Sequence, residues 1–421
     1  MKDKWRMRYR ESLKLLEGDQ VSALTGFNAN IDVHHNLEDL DLDFSDVEAE
    51  IVNPVENMHD FKSSLKYCVD NGVNKEVNRK NFDQDLSFNG SESLGGQGGI
   101  IANYLSGIGA YTVFYTPLLS EELVEKLNDE VVYPVIDGKF LLKRAKECVN
   151  TDRTKYNTIV EFEGDETGRL IISGTVKGFG PYFRKGVEEN LGSLDRKLDR
   201  IILSGFQNIE GNFDTKIDKA CMQLQKLDTP KHLEYVSTGS AETRKILEDL
   251  LPAFESIGMD EVEAKEIAEH LEIEVKDELS LGEAYKIAEK LVKEKGVSRC
   301  HIHSYRFQLI VTDEDYPIGK KSMRRGLLFG VASSLRLAEI GEIPDRSELE
   351  KFDLENKHIH RLDELEHFEN HLDLEKFAET GIEEIEDLNV VAAPTLIHED
   401  PERLVGMGDI ISSGTFIGEI K

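Results

Sequence analysis

The sequence predicts an α/β protein with a mostly parallel main sheet and a smaller inserted β-rich domain. From about residue 190 onward, short strand-like runs alternate with helical stretches, the pattern of successive βαβ units. Residues 33–95 lack this alternation and are rich in Asp, Glu, Asn and Ser, while runs 156–162 and 169–175 flank a polar turn and predict a hairpin. We therefore expect a core of residues 1–32, 96–150 and 188–421, and an inserted lid of residues 33–95 and 151–187.

Composition limits the class of protein. The chain has 421 residues, of which 39% are hydrophobic and 32% charged, values typical of soluble globular proteins with two or three domains. No run approaches the ~18 apolar residues of a membrane span, and the first residues lack the apolar segment of a signal peptide. The four cysteines show no C-x-x-C spacing, so neither a disulfide framework nor a zinc site is indicated. We expect a cytoplasmic protein that is a monomer or a small homo-oligomer.

The net charge of −31 argues against a nucleic-acid partner, because a polyanion would be repelled and no basic stripe offsets the repulsion. Acidic residues dominate segments 38–50, 345–373 and 383–387. These segments are either ordinary solvated faces or an adaptation to a salty cytoplasm, where ions screen the self-repulsion.

The first element is a short apolar run, residues 21–27, that predicts a buried strand. Its end brings Asn28, Asn30 and Asp32 to a common rim. These side chains can donate and accept hydrogen bonds with a polar ligand, although the same residue types also form Asx-rich turns.

Residues 95–99 form a loop with four glycines and a single long side chain, Gln97. A backbone with so few side chains can approach a ligand closely. A helix over 100–108 and a strand over 112–116 should return the chain to the core. The loop is not a Walker A motif, since no Gly-Lys-Ser/Thr follows it.

In the second half, strands over 200–204 and 232–237 alternate with helices over 213–227 and 241–254. Parallel sheets bind ligands outside the carboxyl ends of their strands. That rule places residues 205–208, the His232/Glu234 pair, Glu263 and Asp409 along one rim. A strand pair running from 301 to 312 and a helix over 324–340 follow, whereas residues 345–387 are too acidic and irregular for a functional interpretation.

After a strand over 390–397 and a loop over 398–404, the chain enters a Gly-Met-Gly-Asp turn, residues 406–409. The apolar and small residues that follow predict a helix, so the turn amides lie at a helix N-terminus and favour an anion. Asp409 can accept a proton from a hydroxyl group at the same place, although an aspartate there can also be a simple N-cap.

Five motifs in order resemble those of the archaeal-type ADP-dependent glucokinases and phosphofructokinases, a branch of the ribokinase-like sugar kinases. They are Gly-Phe-Asn-Ala-Asn-Ile-Asp at 26–32, Leu-Gly-Gly-Gln-Gly-Gly at 94–99, His-Leu-Glu at 232–234, Gly-Met-Asp-Glu-Val-Glu at 258–263 and Gly-Met-Gly-Asp at 406–409. The resemblance implies a ribokinase-like three-layer α/β/α core with an inserted lid over the sugar site.

The resemblance also implies roles for individual residues. Sugar contacts would come from Asn28, Asn30, Asp32, Gly96, Gln97 and Asn157. Glu76 lies in a segment where glucose-using members place a Glu, and an exposed surface role is the alternative. Lys155 and Arg184 are the implied cations for a sugar phosphate, because an acidic chain needs a local positive pocket. Both could instead be surface charges at the hairpin ends.

A magnesium site is implied by two motifs. His232 and Glu234 share one face of a strand and could approach Mg²⁺ partly through water. Glu263 corresponds to the glutamate that organises the metal in the family. Asp260 stands where the family usually has Asn, a change that removes two N–H donors and adds a charge.

The implied reaction is ADP-dependent phosphorylation of a sugar. Asp409 would take the proton of the attacking hydroxyl, while the amides of Gly406, Met407, Gly408 and Asp409 would stabilise the transferring phosphoryl group. Fructose 6-phosphate is the expected acceptor, glucose or both sugars the alternative, and ADP the donor with Mg²⁺ as cofactor. Two further alternatives are a non-catalytic sugar or nucleotide sensor on the same fold and an ATP-dependent nucleoside or ribose kinase.

Overall fold

A computed structural model of the chain describes residues 1–80, 90–148, 152–162, 168–174, 176, 179–209, 211–355 and 357–421. The predicted α/β class is confirmed by a 12-stranded sheet, here the large sheet, and a separate five-stranded sheet, the small sheet. The predicted hairpin turn, residues 163–168, falls almost entirely outside the described residues.

The large sheet is parallel in its middle and antiparallel at both edges. Seven neighbouring strands run parallel, and antiparallel strands continue the sheet at each end. In spatial order the strands are His358–His360, Leu388–Ile397, Phe307–Asp313, Arg299–His303, Ser256–Asp260, Lys231–Glu234, Arg200–Leu203, Ser22–Gly26, Tyr111–Tyr115, Val132–Asp137 and Lys139–Arg144, with Ile382–Ile385 also paired to Leu388–Ile397.

The small sheet has its own hydrophobic core. Its strands, in spatial order, are Lys75–Asn78, Gly168–Ser173, Tyr156–Phe162, Asn30–Asn36 and Ser91–Gly95. Phe61 and Leu65 of the helix Met58–Asn71 pack with Val160 and Ile172 of the sheet, and all four side chains are buried. The strand Asn30–Asn36 begins before residue 33, where the lid was predicted to start, so Asn30 and Asp32 belong to the small sheet.

The α-helices are Lys2–Leu13, Met58–Asn71, Gln97–Gly107, Glu121–Glu125, Lys185–Glu188, Leu191–Asp195, Phe213–Leu224, Ser240–Lys245, Glu261–His270, Leu281–Lys295, Lys320–Ile340, Arg346–Glu350, Leu362–His371, Phe377–Thr380 and Met407–Gly418. The predicted 241–254 helix is interrupted, because a π-helical turn, Ile246–Leu250, and a 3-10 turn, Leu251–Ala253, follow its first segment. None of the described helices combines the length and apolar character needed to cross a bilayer.

Sequence signals explain where the helices near the site begin. Asp260 caps the helix Glu261–His270 by accepting the N–H groups of Val262 and Glu263. The helix Lys320–Ile340 packs against Met407–Gly418, which we call the C-terminal helix. Close contact is possible because Gly330 and Gly326 face its backbone. The C-terminal helix is thereby fixed at the rim of the large sheet.

Candidate active site

The C-terminal helix starts at a tight turn. Gly406 has φ of 88°, in the left-handed region that glycine adopts readily, and a Cβ there would lie 3.1 Å from Ile100. The N–H of Met407 donates to the Leu404 carbonyl at 3.3 Å. Among the described residues, the N–H groups of Gly408 and Asp409 have no acceptor, as expected for the first turn of a helix. This turn therefore offers free donors to an anion.

Two cavities meet at this turn. The inter-sheet cavity, about 710 Å³, is lined by Gly406 and Asp409 on the turn and by residues of both sheets. The core cavity, about 650 Å³, is lined by Met407 and Gly408 and by elements of the large sheet and its helices. Asp260 lines both cavities. A group in one cavity can therefore be transferred past the helix N-terminus to a group in the other.

Most of the residues predicted to bind substrate or catalyse its reaction line the inter-sheet cavity. They are Asn28, Asn30, Asp32, Glu76, Gly96, Gln97, Lys155, Asn157, Gly406 and Asp409. The structure thus gathers residues that are more than 300 positions apart in the sequence.

Asp409 is half-buried, and among the described residues its carboxylate has no hydrogen-bond partner. Burial raises the pKa of Asp409 to about 7, the Glu234 carboxylate adds to the rise, and the His303 and Arg403 side chains oppose it. The helix is not capped by this side chain. A carboxylate with a pKa near neutrality is suited to accept a proton at physiological pH.

Asp32 is held by two amides. The Nδ2 atoms of Asn30 and Asn157 donate to its Oδ1 at 2.6 and 3.1 Å. Burial raises the pKa of Asp32 to about 6, and these two hydrogen bonds oppose the rise. The Oδ1 of Asn30 is buried without a partner among the described residues, so this acceptor is free for a ligand.

Lys155 connects the small sheet to the rim of the large sheet. Its Nζ donates to Asn208 Oδ1 at 2.8 Å and to Asn28 Oδ1 at 3.4 Å, and Asn28 donates to Gln97 Oε1 at 2.9 Å. Burial lowers the pKa of Lys155 to about 8, while the Glu76 and Asp32 carboxylates oppose this. Glu76 itself accepts a hydrogen bond from the Ser173 hydroxyl.

Gly96 allows its backbone to lie close to residues 28–30, which follow the first strand. It has φ of 75°, and a Cβ would lie only 2.8 Å from the Ala29 Cα. Any larger residue would displace the loop that places Gln97 at the cavity.

Arg184 is not part of this group of residues. Its guanidinium pairs with Asp152 at 2.8 Å, also binds the Pro117 carbonyl, and its side chain is 53% exposed. A nearby aspartate thus holds this cation away from the cavity, whereas the prediction placed it with Lys155.

The predicted metal residues divide into two pairs. Asp260 and Glu263 form a capping box, with the Asp260 N–H donating to Glu263 Oε2 at 2.7 Å. Burial, together with the Asp260, Glu234 and Asp409 carboxylates, raises the pKa of Glu263 well above its ordinary value. This excess of buried negative charge suits a cation.

His232 and Glu234 belong to a buried network. His232 Nδ1 contacts Ser256 Oγ at 2.7 Å, and Nε2 contacts Ser412 Oγ at 2.9 Å and Glu234 Oε2 at 3.2 Å. Both ring nitrogens are therefore occupied, and His232 supports Glu234 instead of lining a cavity. Within the described part of the chain, no group of three or more potential ligands is arranged to hold a metal alone.

Several cavity residues have no counterpart in the sequence-based prediction. In the inter-sheet cavity they include Asn78, Arg169, Ser173 and Thr238. An adjoining cavity of about 410 Å³, the lateral cavity, adds Arg79 and Lys80 and shares Lys155 and Asn208. Gln207 and Asn208, which the sequence places on the rim after the strand Arg200–Leu203, also line the inter-sheet cavity, whereas nothing in the sequence singles out Arg79 or Arg169.

Comparison with known proteins gives a consistent result. A family model described as the ADP-specific phosphofructokinase/glucokinase conserved region matches residues 21–418. The ADP-specific phosphofructokinase of Pyrococcus horikoshii is 26% identical over 455 residues, covering 95% of this chain and 97% of that protein. The ADP-dependent glucose/glucosamine kinase of Pyrococcus furiosus is also 26% identical, over 95% of this chain and 94% of that protein.

Solved structures agree with these relatives. An ADP-dependent kinase in complex with fructose 6-phosphate and ADPβS superimposes with a TM-score of 0.87 at 25% identity, covering 99% of this chain and 98% of that one. The reconstructed last common ancestor of the ADP-dependent phosphofructokinases of Methanosarcinales gives a TM-score of 0.86 at 26% identity, with 99% and 98% coverage.

Proposed function

The chain belongs to the family of ADP-specific phosphofructokinases and glucokinases, and we propose that it transfers the β-phosphoryl group of ADP to fructose 6-phosphate. Membership makes it an ADP-dependent sugar kinase. The products of the proposed reaction are fructose 1,6-bisphosphate and AMP. The observation that carries the proposal is the meeting of two cavities at the N-terminus of the C-terminal helix, with Asp409 on one side and the Gly408 amide on the other.

The inter-sheet cavity suits a sugar. Its polar groups come from asparagines and carboxylates, and the free Oδ1 of Asn30 can accept a hydrogen bond from a sugar hydroxyl. The small sheet supplies Asp32 and Asn157 while the C-terminal helix supplies Asp409, so a ligand in this cavity contacts both domains. Contact from two domains also excludes water that would otherwise receive the phosphoryl group.

The lateral cavity supports a phosphorylated sugar. Arg79, Lys80 and Lys155 line it together, and it opens into the inter-sheet cavity through Lys155 and Asn208. In a chain of net charge −31, such a cationic group offsets the repulsion of a phosphate dianion. We assign this cavity to the 6-phosphate of the sugar.

Glucose is the second candidate acceptor, because Glu76 lines the inter-sheet cavity and offers a carboxylate to a sugar hydroxyl. The two relatives described above divide in the same way, one being a phosphofructokinase and the other a glucose/glucosamine kinase. The cationic lateral cavity favours the phosphorylated sugar.

The core cavity suits the nucleotide. Val331, Leu335, Ala338, Leu396 and Ile397 give it largely apolar walls, which accommodate a planar base, and its inner end is the free Gly408 amide. The donor is assigned as ADP from family membership, and the solved relative described above was obtained with an ADP analogue.

The carboxylates near Asp260 fit a divalent cation bound with the nucleotide. Asp260 and Glu263 would hold it: burial raises the pKa of Glu263, the neighbouring Asp260, Glu234 and Asp409 carboxylates add to the rise, and a cation would balance their charge. When bound, Mg²⁺ neutralises charge on the nucleotide phosphates.

The residues of the chain carry the reaction as follows. The sugar cavity orients the attacking hydroxyl toward the helix turn, and Asp409 takes its proton as the new O–P bond forms. The Gly408 and Asp409 amides donate to the oxygens of the transferring group, whose charge they stabilise. AMP remains in the core cavity as the bond from its oxygen to the β-phosphorus breaks.

A steady-state assay that crosses ADP and ATP with fructose 6-phosphate and glucose tests the proposal. We expect the highest kcat/KM with ADP and fructose 6-phosphate, and AMP as the nucleotide product. A higher kcat/KM with glucose would identify the protein as a glucokinase. Turnover with ATP but not with ADP would contradict the assignment of ADP as the donor. Ligand binding without turnover for every pair would support a non-catalytic sensor.

A further inference from the structure

We propose that Arg403 binds the phosphoryl group while it passes between the two cavities, a role that rests on the proposed phosphoryl transfer. Arg403 lies in the 398–405 loop that joins the strand Leu388–Ile397 to the C-terminal helix. It was not among the residues predicted from the sequence.

The backbone around Arg403 is anchored on both sides. The N–H of Glu402 donates to the Ala338 carbonyl at 2.7 Å, and the N–H of Met407 donates to the Leu404 carbonyl at 3.3 Å. The Nε of Arg403 donates to the Val405 carbonyl at 3.0 Å, which orients the guanidinium beside the turn that begins the helix. The side chain is therefore positioned before any ligand arrives.

The guanidinium has a free donor in a buried place. Nη2 is buried and has no hydrogen-bond partner among the described residues. Arg403 also forms no ion pair within 4.0 Å in the part of the chain that the structure describes, although the carboxylates of Asp32, Asp409 and Glu161 act on it electrostatically. A partly buried cation that is near three carboxylates but bonded to none keeps a buried donor, Nη2, that an anion can satisfy.

The position of the free Arg403 Nη2 donor connects it with the proposed phosphoryl transfer. Asp32 and Asp409 line the inter-sheet cavity. Arg403 lines a neighbouring cavity of about 820 Å³ that shares Arg169, Leu404 and Val405 with it. Arg403 is thus at the edge of the sugar site and close enough to Asp409 to interact with it electrostatically. An arginine presents a planar fork that matches phosphoryl oxygens and stays charged throughout.

Arg403 forms and breaks no covalent bond in the proposed step. The sugar oxygen bonds to the β-phosphorus of ADP, the bond from that phosphorus to the bridging oxygen breaks, and AMP leaves with the electron pair. The hydroxyl proton goes to Asp409. Arg403 donates hydrogen bonds to the transferring oxygens, which lowers the barrier to transfer.

Arg403→Met and Arg403→Lys test the proposal, with the exposed Arg196→Met as the matched control and thermal melting as the check on folding. Two quantities are measured: kcat for the preferred sugar, and the ratio of the dissociation constants of ADP and AMP. AMP lacks the β-phosphoryl group, so a residue that contacts this group affects ADP alone.

For Arg403→Met we expect kcat to fall about 100-fold, as on loss of one donor to a developing charge, ADP to bind about tenfold more weakly and AMP to bind unchanged. Arg403→Lys should recover part of kcat, while Arg196→Met should match the unmodified protein. Unchanged kcat, or equal weakening of ADP and AMP, would overturn the proposal. If Arg403→Met fails to fold, the ADP to AMP ratio of Arg403→Lys decides, since an unchanged ratio also overturns it. Should the unmodified protein itself transfer no phosphoryl group, it is the proposed function that fails.

Discussion

The inter-sheet cavity and the core cavity share one helix turn but are built differently. The inter-sheet cavity presents directed polar side chains from two domains, such as Asn30, Asp32 and Asn157. The core cavity is formed by one domain, mainly from apolar side chains and backbone. The first can discriminate hydroxyl patterns through buried hydrogen bonds, whereas the second recognises shape and excludes water. Substitutions should therefore have larger and more substrate-specific effects on the sugar side.

A substitution in the helix turn shared by the two cavities should have the largest effect on activity. Replacing Asp409 by Asn keeps its size but removes the proton acceptor, so kcat should fall by ~10²–10⁴ while both substrates still bind. Initial rates with saturating substrates measure the loss, and equilibrium titrations measure binding. The exposed Asp387→Asn serves as control. An undiminished kcat in a folded Asp409→Asn variant would mean that Asp409 does not join the two cavities in one reaction.

A substitution in the inter-sheet cavity should have the next largest effect. Asn30→Ala removes a free acceptor and one donor to Asp32, so kcat/KM for the sugar should fall roughly 10- to 100-fold, the range expected when buried polar groups lose partners. The KM for ADP should stay constant. Asn36→Ala, on the exposed end of the same strand, should behave as the unmodified protein. Equal changes in both KM values would mean that the cavities are not independent.

The pH dependence follows from Asp409, whose pKa burial raises to about 7. The carboxylate accepts a proton only when ionised, so kcat/KM should fall as the pH drops through 7, to roughly one tenth at pH 6. A carboxyl whose folded pKa lies above its unfolded value stabilises the fold at low pH, and this contribution is lost as pH rises through the folded pKa. Titration of Asp409 therefore lowers activity without unfolding the protein.

A pH–rate profile together with melting temperatures at each pH separates these effects. The residual activity of Asp409→Asn should lack the inflection near pH 7. An unchanged inflection in that variant would assign the titration to another group.

The nucleotide side should give the smallest effect. Tyr305 lines the core cavity and is 59% exposed, so Tyr305→Ala should leave the fold intact. Loss of an aromatic contact with the base costs about 1 kcal/mol, so KM for ADP should rise roughly fivefold with KM for the sugar constant. Tyr305→Phe, which keeps the ring, should restore it. A change in sugar KM instead would place the base outside the core cavity.

The two cavities also differ in how well their residues could be predicted from the sequence. Asn30, Asp32 and Asp409 were identifiable because short polar residues follow buried strands or glycine turns, and such positions meet at the rim of a parallel sheet. The predicted α/β class and the strand–helix alternation were also confirmed. The core cavity is formed by ordinary apolar residues, such as Val331 and Leu335, which carry no signal that distinguishes a pocket from a core.

Charged residues were the least predictable. Lys155 lines the cavity while Arg184 does not, because Asp152 pairs with Arg184 at 2.8 Å, a contact that depends on the fold. His232 was predicted as a metal residue, yet its ring is enclosed by Ser256, Ser412 and Glu234. Long side chains can point in many directions, so their partners follow from tertiary contacts that no local pattern encodes.

A crystal structure with fructose 6-phosphate and a poorly transferable ADP analogue would test the central claim most directly. We predict the sugar in the inter-sheet cavity, the base in the core cavity, the attacking hydroxyl within hydrogen-bond distance of Asp409 and the β-phosphorus beside the amides of Gly408 and Asp409. A structure in which both ligands occupy one cavity, or in which the β-phosphorus lies away from this helix turn, would contradict the proposed transfer.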